Sequence, residues 1–301
     1  MSDFVPGLEG VIAFESEIAE PDKDGGSLRY RGVDIEELVG KVSFGDAWGL
    51  LVDNSFTPGL PPFNTLELPV RSGDVRVDVQ SSLAMLAPKL GFKPLLDIDD
   101  AQARDELAQT SVSALSYVAQ SARADLPAVP QSEVDKGQTA VEQFLLRWRG
   151  EVNPLHVKAL SAYWGSAAEH GMNASTFTAR VVASTGADVA AALSAGIGAM
   201  SGPLHGGAPT RVLHMVEEVE KTGDAVGYVK GILDRHERLM GFGHRVYRAE
   251  DPRARVLRRV ARELGSPRYE AAAALEQAAF SELRARRPDR PIETNVAFWA
   301  A

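Results

Sequence analysis

The chain has 301 residues, 45% of them hydrophobic, which is material for one large globular domain or two. Its net charge of −9 argues against nucleic acid as a main partner, and the absence of cysteine excludes disulfides, thiolate metal sites and a cysteine nucleophile. No apolar run has the length of a membrane span, and residues 1–10 are too acidic for a signal peptide, so the expected location is cytoplasmic with no membrane partner.

Residues 10–16 and 27–32 read as short extended segments, punctuated by Gly25, Gly26 and Gly32. From Ile35 onward the pattern becomes helical, with apolar residues at Phe44, Ala47, Trp48, Leu50 and Leu51. Prolines at 58, 61 and 62 make residues 57–64 a loop. Helical periodicity resumes over 77–87 and 101–119, and one helix is expected over 134–148, closed by Gly150. Asn153 followed by Pro154 is a start signal for a helix through 155–168.

Residues 186–200 carry small or apolar side chains on every face. Such a helix belongs at the centre of a helical domain or at a subunit interface. Further helices are expected over 209–222 and 224–239, from Asp251-Pro252 to Gly265, and over 269–287. Residues 295–301 read as the opening of a helix without a cap or polar tail, as if a C-terminal segment were missing or the last turn frayed. The expected fold is therefore all-α with short N-terminal strands, no internal repeat and no low-complexity region.

Charge is unevenly spread. Residues 1–100 hold 18 acids and 8 bases, whereas residues 231–290 hold 14 Arg, no Lys and 9 acids. Arginine without lysine suits forked recognition of carboxylates or phosphates, and it also suits a solvated helical surface. Arg253 stands out. If Asp251 caps a helix and Pro252 is its first residue, Arg253 lies in the first turn, beside free N–H groups and the positive dipole end. A guanidinium there runs against the dipole at a cost of about 0.3–1 kcal/mol, and it makes either an anion site or a tolerated surface arginine.

Two histidines sit in glycine-rich turns. They are His205, in Ser-Gly-Pro-Leu-His-Gly-Gly-Ala-Pro, and His244, in Gly-Phe-Gly-His-Arg-Val-Tyr-Arg. Flanking glycines let a backbone and a ligand approach the imidazole, the side chain best suited to proton transfer near neutral pH. His170, in Glu-His-Gly-Met-Asn-Ala-Ser, is expected to end a helix, where the dipole favours a cation. A purely structural histidine is the simpler reading of it. The separations of 35 and 39 residues among the three fit no short metal-ligand motif, so no metal is expected. His156, His214 and His236 read as ordinary helical residues, and no Walker loop is present.

These segments, in this order and spacing, resemble the citrate synthase family, bacterial type, through nearly the whole chain. The opening matches at Gly10-Val-Ile-Ala and at Leu28-Arg-Tyr-Arg-Gly-Val-Asp-Ile-Glu-Glu-Leu. The most specific pieces are Gly202-Pro-Leu-His-Gly-Gly, Gly241-Phe-Gly-His-Arg-Val-Tyr-Arg and Asp251-Pro-Arg. The resemblance implies a large helical domain, residues 1–205, incomplete without a C-terminal return segment, and a small domain, residues 206–301, in a homodimer. It implies condensation of acetyl-CoA with oxaloacetate, then thioester hydrolysis to citrate and CoA. Coenzyme A enters as the substrate thioester, and no cofactor stays bound. By the same resemblance His205 stabilises the enol, His244 polarises and protonates the oxaloacetate ketone, and His170 and Arg253 bind oxaloacetate. Arg248 and the loop Gly241, Phe242 and Gly243 meet coenzyme A.

One position departs from the pattern. The family's catalytic carboxylate follows Asn-Val, and after Asn295-Val296 this chain has Ala297. Alanine cannot accept a proton, and loss of a general base lowers rates by about 10²–10⁴. Glu293 is close in sequence but is not assigned the role. Further arginines that the family places beyond this point are not in the 301 residues. Three readings are open: a citrate synthase in which Ala297 is natural or engineered, a 2-methylcitrate synthase using propionyl-CoA, and an inactive relative that binds oxaloacetate or CoA to regulate.

Overall fold

The computed structural model describes residues 14–22, 24, 26–62, 66–244, 247, 250–289 and 292–301. Its first elements are an antiparallel sheet of β1 (Ala19–Pro21), β2 (Leu28–Tyr30) and β3 (Val33–Asp34). The extended segment expected over 10–16 is corrected: residues 10–13 lie outside the described residues, 14–16 form no strand, and pairing starts at Ala19. Arg31 and Gly32, with φ of 48° and 85°, make the two-residue turn between β2 and β3, the left-handed pair that matches strand twist. Alternation buries Leu28 and Tyr30 and exposes Arg29.

The rest of the chain is mostly helical. After the short α1 (Ile35–Leu38), α2 (Phe44–Asp53) opens on a capping box of Ser43 and Asp46. The span expected over 77–87 is divided at Met85 into α3 (Val75–Ala84) and α4 (Leu86–Leu90). The long α5 (Asp100–Ala122) packs on α3. The single helix expected over 134–148 is also two: α6 (Gln131–Val134) and α7 (Ala140–Arg149). Thr139 and Glu142 form a capping box that starts α7. Gly137 lies where a Cβ would be 2.9 Å from the Gln143 nitrogen, so the chain must turn there.

Asn153 and Pro154 start α8 (Pro154–Ala167) as expected. Asn173 then caps α9 (Ala174–Ala183), a helix that the periodicity did not predict. It pairs with α10 (Val189–Met200). The first half of α10 is buried through Val189, Ala190, Ala192 and Ser194. The second half is half-buried and ends on Met200. Together with Met172, Phe177 and Val181 it leaves an apolar face open on the single chain.

The remaining helices are α11 (Ala208–Thr222), α12 (Ala225–Asp234), α13 (Pro252–Glu263), α14 (Tyr269–Arg286) and α15 (Val296–Ala300). α12 stops five residues before the expected end, and His236 comes after it at φ 57° rather than lying on a helix. One continuous core joins these helices to the sheet and α8, through residues such as Tyr30, Ile35, Ala162, Val212, Leu275 and Phe298. Seven of the eleven described arginines of 231–290 pair with acids, as in Arg255 with Glu36 and Arg268 with Glu217, so the surface reading describes most of these. No helix among the described residues is long and apolar enough to cross a membrane.

Glu276 of α14, 6% exposed, ties α15 and α13 to that core. It accepts from Thr294 Oγ1 (2.9 Å), Trp299 Nε1 (2.8 Å) and Arg258 Nη1 (2.8 Å). Glu276→Ala leaves three donors without their acceptor and is expected to lower stability by about 2–3 kcal/mol. Glu276→Gln should fall between the two in urea denaturation.

Candidate active site

The site is built on Asp251 and Arg253. Asp251 is the N-cap of α13 and accepts from the Arg253 backbone nitrogen at 3.0 Å. Its two oxygens also take Arg253 Nε (2.9 Å) and Nη2 (2.8 Å), and the second oxygen accepts from Val296 N at 2.9 Å, the first N–H of α15. The two residues are 1% and 2% exposed. Burial pushes the Asp251 carboxyl up, but the guanidinium outweighs it and holds the group below its usual range. Burial likewise opposes the charge of Arg253, and Asp251 more than restores it. A cation in a helix's first turn is tolerated here because the capping carboxylate neutralises it.

Three imidazoles surround this pair. His244 Nε2 is 3.2 Å from Arg253 Nη2, and its Nδ1 is 3.3 Å from the Tyr247 backbone N–H. A neutral imidazole has one lone pair, so it accepts only one of these two donors. Burial, then Arg253, lowers the His244 pKa to about 4. The His170 ring meets His244 edge to face at 5.4 Å, and its Nδ1 is buried without a hydrogen-bond partner. Burial, Arg253 and His244 lower its pKa to about 3. The expectation that His170 ends a helix is corrected. α8 ends at Ala167, and His170 lies beyond it as a neutral group.

His205 is reached through Ser175. Ser175 Oγ is 2.8 Å from Asn173 Oδ1 and 2.8 Å from His205 Nε2, and the His205 tautomer decides which of the two takes the hydroxyl proton. Burial and then Arg253 lower the His205 pKa as well. The glycines after it have a packing role. A Cβ on Gly206 would lie 2.7 Å from the Met200 carbonyl oxygen, and one on Gly207 would lie 2.8 Å from that of Ser201. Sequence reasoning missed Glu169, whose carboxylate accepts from His170 N (2.8 Å), Asn173 Nδ2 (2.8 Å) and Thr176 Oγ1 (2.6 Å). Its only signal was its place beside His170. It also missed Tyr30, which donates to Ser166 O (3.0 Å) and accepts from Glu169 N (3.3 Å).

The loop 241–243 is pinned to the segment before α15. Gly243 N donates to Glu293 O (2.8 Å), Asn295 N donates to Gly241 O (2.9 Å) and Asn295 Nδ2 donates to Gly243 O (2.7 Å). Gly241 has φ 83°, and a Cβ there would be 3.0 Å from Phe298 and Val212. The Phe242 ring packs on Phe298 (5.1 Å) and Phe280 (6.1 Å). Arg248 lies outside the described residues. Behind the loop is a cavity of about 410 Å³ that the sequence did not signal. Leu233, Leu239, Phe242 and Ile292 form its apolar part, and Arg238 and Arg287 are exposed at its edge.

Ala297 is the second residue of α15. Its N–H donates to Asn295 Oδ1 (3.0 Å), and its side chain is buried, 8% exposed. It is one peptide from Val296, which Asp251 holds. Glu293 lies three residues before α15. Burial raises its pKa, and the charges acting on it are Arg284, Glu250, Glu276 and Arg258 rather than the histidines.

His170 and His244 titrate at about 3 and about 4 in the folded chain, against an ordinary value of 6.5. The unfolded state therefore binds more protons below pH 6.5, and stability falls as pH drops from 6.5 through 4. His170→Gln is expected to flatten this decline in urea midpoints measured at pH 7 and pH 5. An unchanged slope would show that burial of His170 does not set it.

Residues 7–301 match the family model described as citrate synthase, C-terminal domain. The "Putative citrate synthase 2" of Mycobacterium tuberculosis is 71% identical over 301 residues, covering 99% of this chain and 81% of the relative. The citrate synthase of Haloferax volcanii is 32% identical, covering 98% of this chain and 83% of its own. The crystal structure of citrate synthase from Pyrobaculum aerophilum superposes with a TM-score of 0.77 at 26% identity, covering 99% of this chain and 81% of that one. The helical fold and the sequence agree along the length of the protein: the chain belongs to the citrate synthase family.

Proposed function

We propose that the pocket around Arg253 binds oxaloacetate and that the chain serves its condensation with acetyl-CoA, giving citrate and CoA. Family membership supports the reaction. The observation that carries the site is the gathering of three neutral imidazoles around one buried Asp–Arg pair. A neutral imidazole can donate a hydrogen bond to a carbonyl or enol oxygen without bringing a charge. In this reading His244 polarises the ketone, His205 steadies the enol, and His170 and Arg253 hold the oxaloacetate carboxylates. Asp251 occupies Nε and Nη2 of Arg253, which leaves Nη1 for substrate.

Coenzyme A is proposed to enter as the substrate thioester beside Gly241, Phe242, Gly243 and Arg248. The 410 Å³ cavity behind this loop suits its nucleotide end: the apolar part takes the adenine, and Arg238 and Arg287 face the phosphates. We divide the chain at about residue 205 into a large part and a small one, whose closure would exclude water. The apolar face of α9 and α10 is the proposed homodimer contact, and the protein is placed in the cytoplasm.

Ala297 favours a second reading, in which the chain binds these ligands but abstracts no proton. An aspartate at this position would sit at a helix N-terminus, where a negative charge is favoured. Little or no CoA is expected to be released from acetyl-CoA or propionyl-CoA by the chain as it stands. Ala297→Asp is expected to raise release by about 10²–10⁴, and the faster thioester identifies the acyl preference. Rapid turnover with Ala297 in place would sink the role given to this position. Calorimetry with oxaloacetate tests the pocket separately: His244→Ala should weaken binding by about tenfold or more. An Ala297→Asp protein that binds oxaloacetate yet stays inactive would favour the binding-only reading.

A further inference from the structure

A second cavity, about 250 Å³, lies between the segment 66–71, the end of α5 with its adjoining loop, and α7. None of the site histidines lines it. Three guanidiniums do: Arg71, Arg123 and Arg147. Arg71 Nη1 donates to the Gln120 carbonyl (3.3 Å), and Arg123 Nη1 donates to that of Trp148 (2.8 Å). Arg123 Nε donates to the Pro127 carbonyl, and Arg147 Nη2 donates to Gln131 Oε1 (2.9 Å). Every one of these acceptors is neutral. Elsewhere the chain supplies carboxylates, as Asp53 does for Arg104 at 2.8 Å and Glu276 for Arg258 at 2.8 Å.

Three acids lie near the cluster, and among the described residues none accepts a hydrogen bond from its arginines: the buried Asp78 lies within the field of Arg71 but accepts from Ser72 and Ser121. Glu67 is exposed at the rim, and Asp135 accepts from Gln131 Nε2 (2.6 Å) rather than from an arginine of the cluster. Arg147 is the most informative member. Burial holds its guanidinium below the usual value, and only the more distant charge of Asp135 pulls it back. A partly buried cation with one amide acceptor, beside two others, has lost hydration without gaining a hydrogen-bonded carboxylate. Guanidiniums on three separate segments converge on a space the size of a small molecule, and forked donors of this kind match carboxylate and phosphate oxygens.

We propose that this cavity is a binding site for a compact polyanion bearing two or three carboxylate or phosphate groups, separate from the histidine site. Such a ligand would supply hydrogen-bonded anionic oxygens. Arg123 also holds the last turn of α7, which packs on α8, the helix before the Glu169–His170 segment.

The test uses the 301-residue chain, titrated with inorganic pyrophosphate and, separately, with tricarballylate, by thermal shift and calorimetry at constant ionic strength. At least one probe should stabilise the protein saturably, and which one responds assigns phosphate or carboxylate chemistry. Arg147→Met keeps the apolar stem and removes the charge. It should weaken that probe's affinity by about tenfold or more while leaving the midpoint without anion unchanged or higher. A tricarboxylate that enters the histidine site instead would bind this variant as it binds the parent. Absence of saturable binding by both probes, or equal affinity in the variant, would overturn the proposal. If Arg147→Met fails to fold, Arg71→Gln, on the exposed rim, carries the same comparison, and unchanged affinity there overturns it too.

Discussion

Asp251 and Arg253 form a charge pair two residues apart, almost wholly buried, at the start of one helix. A lone charge at such a depth is prohibitively costly, and a pair survives only when its remaining hydrogen-bonding capacity is used. Asp251 uses it fully. The same carboxylate caps α13, grips the guanidinium at two points and takes the first N–H of α15. One side chain therefore sets the angle between two helices and the position of the cation between them. The loop 241–244 then has little freedom, because Asn295, just before α15, holds it by backbone and side chain.

Burial first, and then the cation, sets the state of the histidines. All three lose hydration, and all three lie within the field of Arg253, so all three are held neutral. Charge at this site is carried by an arginine that cannot give up its proton. The imidazoles are left as neutral donors and acceptors. Glu169 and Asn173 do the complementary work on the other side, folding the segment after α8 so that His170 faces His244 and Ser175 reaches His205.

In the proposed function, binding and proton abstraction fall on separate residues. The groups that would hold and polarise a keto acid surround Arg253, whereas position 297 sits on α15 with only a methyl group to offer. The two cavities differ in the same spirit. The one behind Phe242 has an apolar part with arginines at its edge, while the one beside α7 brings together three arginines that, among the described residues, have no hydrogen-bonded carboxylate.

Much of this was legible in the residues. Capping pairs such as Asn153-Pro154 and Asp251-Pro252, and glycines after helices, act over three or four residues, so the sequence alone located those helix starts and stops. The family motifs likewise singled out His170, His205, His244 and Arg253, and the structure brings them together. Local pattern failed where a distant contact decided the outcome. The break between α6 and α7 depends on Gly137 packing against Gln143, and the flanking glycines of His205 answer to Met200 and Ser201. Sequence by itself singled out the side chains proposed to carry the chemistry and the alanine at position 297. Only the tertiary structure showed that Asp251 pairs with Arg253, that burial and Arg253 lower the pKa values of the three site histidines, and that Glu169 and Tyr30 bond to the segment carrying His170. Burial and electrostatic coupling arise from residues far apart in the chain, and no local pattern encodes them.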